Sequence, residues 1–193
     1  MGKRNIKAIW SPFVIIGIGF SVSFIANSFI GAWAFIPLAL IYWTAIFVIV
    51  KPNMEKVTKL FKYPPNHARY ILLTFVPTLF CIISFAWGIQ YINGSILIIL
   101  WIVFAIVNST AEEMFWRGYL LDNLHWNPAI KVLFSTVLFL ISHLMWGVFS
   151  ITIRSYIMIL PLLIMGMIWG YAYHKTKSLK WCSRIKKVLI ILL

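Results

Sequence analysis

Two adjacent carboxylates, Glu112 and Glu113, lie in the middle of a chain that is otherwise suited to lipid. They are half of the four acidic residues in the sequence. A charge inside a bilayer costs about 2.5–3.5 kcal/mol, so such groups face a protein interior or a water-filled cavity. On an α-helix Glu113 and Arg117 share a face, whereas Glu112 points about 140° away from Arg117. Glu112 is therefore predicted to be the freer carboxylate, and Glu113 to be the partner of Arg117.

A histidine lies at a matching depth on the next predicted helix. His143 is the only histidine deep in a predicted span, and Phe139 precedes it by one turn. Glu112 and His143 each lie about fifteen residues from the turn at Pro128, which places both roughly 22 Å from it at the helical rise. A carboxylate and an imidazole at one level can hold a water, and the carboxylate can act as a general base. The alternative is a buried Glu–Arg–His packing network.

The composition requires a membrane environment. Of the 193 residues, 62% are hydrophobic and 11% are charged, whereas a soluble domain needs more polar residues to cover its surface. The pattern predicts one all-α domain over residues 1–193, a polytopic transmembrane helical bundle of about six spans with a short basic C-terminal tail. The expected spans are 9–27, 29–50, 69–91, 96–126, 128–149 and 155–173.

Two smaller patterns predict packing. The basic segment 53–69 carries Val57, Leu60 and Phe61 on one face, which predicts a helix lying on the lipid headgroups. In the sixth predicted span, Gly166 and Gly170 have the spacing of a close helix–helix contact.

The net charge of +13 reflects membrane topology and not nucleic-acid binding. If the N-terminus is cytoplasmic, the inside segments are 1–8, 51–69, 118–131 and 174–187. Apart from Arg117 and Arg154, every lysine and arginine falls in these segments, as the positive-inside rule requires. The pattern predicts an integral protein of a bacterial cell membrane with both termini in the cytoplasm. Its expected partners are membrane lipids and no nucleic acid.

The motifs resemble those of a known family. Glu112-Glu113-x-x-x-Arg117, followed by Phe139-x-x-x-His143, resembles the first two motifs of the CPBP family, the CAAX-protease and bacteriocin-processing (Abi) proteins. Two further runs match the family pattern, Gly118-Tyr119-Leu120 and Gly170 through Leu179. The resemblance covers roughly residues 96–179. It implies an intramembrane endopeptidase that hydrolyses peptide bonds of CAAX-like or leader-like substrates at the membrane, either peptides or lipidated proteins.

The resemblance also implies roles for the site residues. Glu112 would activate the attacking water, and His143 would bind that water or stabilise the oxyanion. Glu113 and Arg117 would support them. Members of the family are often named metalloproteases, and a bound zinc would use Glu112 and His143; a metal-free, glutamate-driven mechanism is the competing view. A catalytic zinc usually has three protein ligands, so this pair counts against tight metal binding.

The third motif of the family has no counterpart at the expected place. Its histidine should fall near Lys186 and its asparagine near Ile190, so the last helix of the family is expected to be missing or altered. This departure favours, as the alternative function, a catalytically impaired relative that acts in bacteriocin self-immunity or as a membrane scaffold. A small ion-coupled carrier using the glutamate pair is a third hypothesis, although no inverted repeat of broken helices is evident. No pattern specifies the substrate or the oligomeric state.

Overall fold

A computed structural model describes residues 3–62, 69–70, 72–73 and 94–180. In these ranges all regular secondary structure is helical, which confirms the all-α prediction. The α-helices are α1 (Lys3–Ile30), α2 (Phe35–Val50), α3 (Met54–Leu60), α4 (Ser95–Glu112), α5 (Pro128–Leu144), α6 (Ile151–Arg154) and α7 (Tyr156–Thr176). Helix α4 continues without a break into a π-helix, Glu113–Leu121.

Three helical stretches in the described part of the chain are long and apolar enough to cross a membrane: Ile6–Leu60, Ile98–Leu121 and Pro128–Val148. The first contains α1 and α2, which pack against each other because the chain turns at Gly31–Ala34. Gly31 has a φ of +56° there, a conformation that glycine adopts without strain. Helices thus occupy five of the six expected spans. The expected span 69–91 lies almost entirely outside the described residues, so the count of six and the orientation stay predictions.

The surface of α1 and α2 is suited to lipid. Their sequences are apolar on nearly all sides, and large side chains such as Phe24 and Phe29 are 63% and 82% exposed. A helix that is apolar all round is either buried in protein or embedded in a membrane. This face of α1 and α2 therefore has the composition that a lipid environment requires.

The short helix α3 packs on the π-helix. Val57 is fully buried, and the backbone N–H of Leu179 donates to the carbonyl of Leu60 over 2.9 Å. A Cβ added at Gly118 would lie 3.1 Å from Val57 and 3.2 Å from Leu179. The glycine therefore allows a close approach, and the apolar face of α3 that was expected on the headgroups is covered by the bundle instead.

The helices α5 and α7 form the tightest helix pair near the site. A Cβ at Gly166 would come within 2.7 Å of Thr136, and a Cβ at Gly170 within 3.0 Å of Val132. Any larger residue at these positions would push the two helices apart. The predicted role of the glycine pair in packing is confirmed.

Asp122 directly follows the π-helix and forms ion pairs with lysines of two other segments at one end of the bundle. Its carboxylate lies 2.9 Å from the Lys56 ammonium of α3 and 2.7 Å from the Lys177 ammonium beyond α7. The Asp122 side chain is buried, whereas both lysines are half-exposed. These two ion pairs therefore hold α3 and the end of α7 against the π-helix, and solvent screens much of their attraction.

We expect Asp122→Asn to lower the free energy of unfolding by about 1 kcal/mol at neutral pH. Burial raises the pKa of Asp122, but the hydrogen bonds and charges of Lys177 and Lys56 outweigh it and lower the pKa below its ordinary value of 3.8. Since the pKa is depressed in the folded state, the stabilisation is present above about pH 4 and is lost as the pH falls through the folded-state value. Thermal unfolding in detergent micelles between pH 7 and 3 measures both effects.

The matched control for Asp122 is Glu55→Gln. This change removes the exposed ion pair that Glu55 makes with Lys59 at 2.7 Å, so it should leave stability unchanged. If Asp122→Asn has the same stability as the unmodified chain at every pH, the ion pairs of Asp122 contribute nothing to the free energy of unfolding.

Candidate active site

Glu112 at the end of α4 and His143 of α5 lie close to each other. Glu112 is the last residue of α4, and His143 lies in the last turn of α5. The Nε2 atom of His143 is 3.6 Å from Oε1 of Glu112, and the two side chains are 17% and 5% exposed. The structure thus brings together the carboxylate and the imidazole that were expected at one level.

The orientation of His143 is set by a backbone carbonyl. Its Nδ1 atom lies 2.9 Å from the carbonyl oxygen of Phe139. A carbonyl can only accept, so Nδ1 carries the hydrogen and the lone pair of Nε2 faces Glu112 in the neutral imidazole. A carboxylate is also an acceptor, and 3.6 Å is too long for a direct hydrogen bond. A water beside this gap could donate one hydrogen to each group.

Glu113 forms the buried ion pair predicted with Arg117. Its Oε1 atom is 3.4 Å from Nη1 of Arg117, and both side chains are fully buried. The guanidinium also lies against two rings, with its Cζ atom 4.6 Å from the ring centre of Phe139 and 5.6 Å from that of Trp169. Arg117 therefore neutralises Glu113 and connects the π-helix to α5 and α7 through cation–π contacts.

Phe139 is the common neighbour of the site residues. Its ring centre is 4.4 Å from that of His143 and 6.0 Å from that of Trp116. Its carbonyl binds the histidine and its ring lies against Arg117, so one residue contacts both. The carbonyl would be present with any residue at this position, whereas the contacts with Arg117 and Trp116 need an aromatic ring.

The helix that carries Glu113 and Arg117 has more residues per turn than expected. The pattern predicted a continuous α-helix of 3.6 residues per turn, but Glu113–Leu121 is a π-helix, which has more residues per turn. The angle of 140° between Glu112 and Arg117 was therefore wrong, although the pairing of Glu113 with Arg117 is present. Side chains bind three carbonyls of this segment: Ser135 Oγ that of Trp116 at 3.2 Å, Asn123 Nδ2 that of Tyr119 at 2.7 Å, and Lys131 Nζ that of Leu121 at 3.2 Å.

A residue of α2 also reaches the site. The hydroxyl of Tyr42 accepts a hydrogen bond from the Trp116 indole over 3.2 Å, and the charges of Glu112 and Arg117 act on it. The sequence pattern did not single out this residue. A tyrosine in an apolar helix carries no spacing signal, and its partner is 74 positions away.

The side chains that the structure describes do not fit a three-ligand zinc site. In residues 3–62 and 94–180 no group of three or more His, Cys, Asp or Glu side chains could hold a metal ion. Glu112 and His143 supply two donors, and Glu113 is paired with Arg117. A catalytic zinc usually has three protein ligands, so no step proposed below uses a metal. The positions near Lys186 and Ile190, where the third motif was expected, lie outside the described residues.

One family model matches the part of the chain that carries these residues. The family model of Rce1-like proteins, type II CAAX prenyl endopeptidases, matches residues 93–185. That range contains Glu112, Glu113, Arg117 and His143. Neither the comparison with curated proteins nor the comparison with solved structures gave a match. Together with the helical fold and the apolar spans, this match over residues 93–185 supports membership of the CPBP family of CAAX proteases.

Proposed function

We propose that this protein is an intramembrane endopeptidase in which Glu112 is the general base. The observation that carries the proposal is the buried contact of 3.6 Å between Glu112 and the acceptor nitrogen of His143. A water held there would donate one hydrogen to the carboxylate and the other to the imidazole. Both groups would thus orient the water oxygen for attack on a carbonyl carbon.

The reaction then proceeds by general acid–base catalysis. Glu112 takes a proton from the water as the water oxygen bonds to the peptide carbonyl carbon, which gives a tetrahedral oxyanion. When this intermediate collapses, the C–N bond breaks and the proton on Glu112 passes to the leaving nitrogen. The products are a carboxylic acid, which then ionises by releasing its proton to water, and an amine, and Glu112 returns to its ionised form.

The ion pair of Glu113 and Arg117 supports this chemistry without taking part in proton transfer. Its members lie 3.4 Å apart and are fully buried, so the second carboxylate next to Glu112 is neutralised by its own partner. Glu112 lies 3.6 Å from the acceptor nitrogen of His143. This position favours Glu112 over Glu113 as the group that accepts the proton.

The substrate that we propose is a lipidated peptide or protein with a CAAX-like end. The description of the matched family as CAAX prenyl endopeptidases supports this class. A substrate with a prenyl chain would be concentrated in the same bilayer and would reach the protein by lateral diffusion. A leader-like, unlipidated peptide is the other substrate class, and a non-catalytic immunity or scaffolding role remains the alternative function.

Cleavage by the purified protein in liposomes tests the proposal. We expect hydrolysis of a fluorogenic prenylated CAAX peptide. The same peptide without the prenyl group, and a leader-like peptide, should be hydrolysed more slowly or not at all. His143→Ala should lower the rate by about 100-fold or more, because the water loses one of its two orienting groups. Helicity and size-exclusion profiles show that the variant is folded.

His125→Ala is the matched control for this experiment. His125 is exposed in the connection before α5, so its removal should leave the rate unchanged. Undiminished cleavage by His143→Ala would refute the role of the imidazole. A wild-type protein that cleaves none of the three peptides would refute the enzymatic function and favour the immunity or scaffolding role.

A further inference from the structure

Three lysine side chains come together where the π-helix ends. Lys56 of α3 and Lys177 beyond α7 bind the two carboxylate oxygens of Asp122 at 2.9 and 2.7 Å. Lys131 of α5 donates to the carbonyl of the preceding residue, Leu121, over 3.2 Å. Three ammonium groups thus lie around one carboxylate. We call Lys56, Lys131 and Lys177 the lysine cluster.

The lysine cluster presents positive charge to its surroundings. The Asp122 side chain is 9% exposed, whereas those of Lys56 and Lys177 are 59% and 50% exposed, so the carboxylate lies behind the ammonium groups. Each ammonium has three donors and one polar partner in the part of the chain that the structure describes. Three ammonium groups and one carboxylate leave a net charge of +2 and several N–H donors for an anion.

His174 experiences the same excess of positive charge. It lies in the last turn of α7, beyond the expected span 155–173. Burial lowers its pKa below the ordinary value of 6.5, and the charges of Lys131, Lys177 and Lys175 lower it further. The lysine charges are therefore not fully balanced by Asp122, which supports a site for a further anion over a closed network of ion pairs.

The lysine cluster lies at the end of the membrane-spanning part. The three long apolar stretches each have an end here, at Leu60, Leu121 and Pro128. Leu60 and Leu121 belong to one buried cluster with Val132 of α5, so these ends lie together. In a bilayer this end of the bundle is level with the headgroups, where anionic phospholipids attract lysine side chains.

An exposed apolar stripe begins next to the lysine cluster and runs into the span. Ile130, Leu133 and Val137 follow one another along one face of α5 at intervals of three and four residues. Their side chains are 58%, 53% and 40% exposed. An acyl chain on this stripe would extend from a headgroup held by Lys131 and its neighbours, whereas a soluble anion would leave the stripe unused.

We propose that the lysine cluster binds the phosphate group of an anionic phospholipid, with an acyl chain of that lipid along the stripe of Ile130, Leu133 and Val137. The bound lipid would connect α3, α5 and the segment after α7, all of which meet at the end of the π-helix. The site is distinct from Glu112 and His143, so it goes beyond the proposed function.

Lipid binding to the purified protein tests the site. Phosphatidylglycerol is added to the protein in neutral detergent micelles, and the bound lipid is counted by native mass spectrometry. We expect the dissociation constant to rise about fivefold in Lys56→Gln and about 20-fold or more in Lys56→Gln/Lys177→Gln. Lys59→Gln is the matched control, because it removes the same charge from the same helix but from a lysine paired with Glu55 at 2.7 Å. Its dissociation constant should stay within about twofold.

A second readout uses the unmodified chain and does not depend on how the variants fold. The chain has four histidines, and His174→Gln identifies the imidazole signals of His174 in NMR spectra. Phosphatidylglycerol should raise the pKa of His174, because the phosphate offsets the nearby lysine charges. The exposed His125 reports the general surface potential and should shift less. Phosphatidylcholine and soluble glycerol 3-phosphate at the same concentration should shift neither pKa.

The outcomes separate a built site from its alternatives. If Lys59→Gln weakens binding as much as Lys56→Gln, or if His174 shifts no more than His125, only a diffuse attraction to anionic lipid exists and the site is refuted. If glycerol 3-phosphate raises the pKa of His174 as much as the lipid does, the cluster binds soluble phosphate and the lipid is the wrong ligand. None of these readouts uses cleavage, so they leave the proposed function untouched.

Discussion

Glu112→Gln is expected to reduce kcat by about 10²–10⁴-fold and to leave KM nearly unchanged. Glutamine has the same length and shape as glutamate, so the contact of 3.6 Å with His143 can be kept while the ability to take a proton is lost. The loss is therefore a loss of chemistry and not of substrate binding. Initial rates over a range of peptide concentrations in liposomes give both parameters.

Glu113→Gln is the matched control, because it makes the same change one residue further along. Glu113 is paired with Arg117 at 3.4 Å, and its replacement removes this ion pair from a buried arginine. We expect this variant to lose stability and to retain a larger share of its activity per folded molecule. If Glu113→Gln is inactive while Glu112→Gln still cleaves, the roles of the two glutamates must be exchanged.

The position of His143 along its helix could be predicted because α5 is a regular α-helix with a start that the sequence specifies. Asn127 caps α5 by accepting the N–H of Ala129 over 3.0 Å, and Pro128 occupies the first turn, where its missing N–H costs nothing. The count back to Glu112 assumed the same rise, although the segment between them contains the π-helix.

The π-helix could not be predicted, because its supports come from elsewhere in the chain. Ser135 and Lys131 bind its carbonyls from α5, up to 19 positions away. A periodicity of apolar residues reports which face of a helix is buried, and it does not report where a carbonyl finds a second donor. The local sequence pattern therefore predicted an ordinary α-helix.

The contributions of α2 and α3 were missed for a related reason. Both helices contact the π-helix over long sequence separations, through Tyr42 in one case and Val57 in the other. An apolar face on a basic helix is compatible with headgroups or with protein. Only the close approach at Gly118 decides between them, and that requires the fold.

The change with the largest expected effect on stability is Arg117→Met. Methionine fills a similar volume and can still contact the rings of Phe139 and Trp169, which lie 4.6 and 5.6 Å from the guanidinium carbon. It leaves the fully buried carboxylate of Glu113 without its counter-charge, and breaking a buried ion pair on one side costs about 3–5 kcal/mol. Unfolding in detergent micelles with increasing denaturant measures the loss.

The double variant Glu113→Gln/Arg117→Met shows whether this cost comes from the stranded charge. With both charges removed the penalty should largely disappear, so the double variant should be more stable than Arg117→Met. It should also retain measurable cleavage, because the pair holds the site and does not move the proton. If the double variant is no more stable than Arg117→Met, the ring contacts of the guanidinium and not its charge hold the π-helix in place. If it is stable and inactive, Arg117 or Glu113 takes part in the reaction itself.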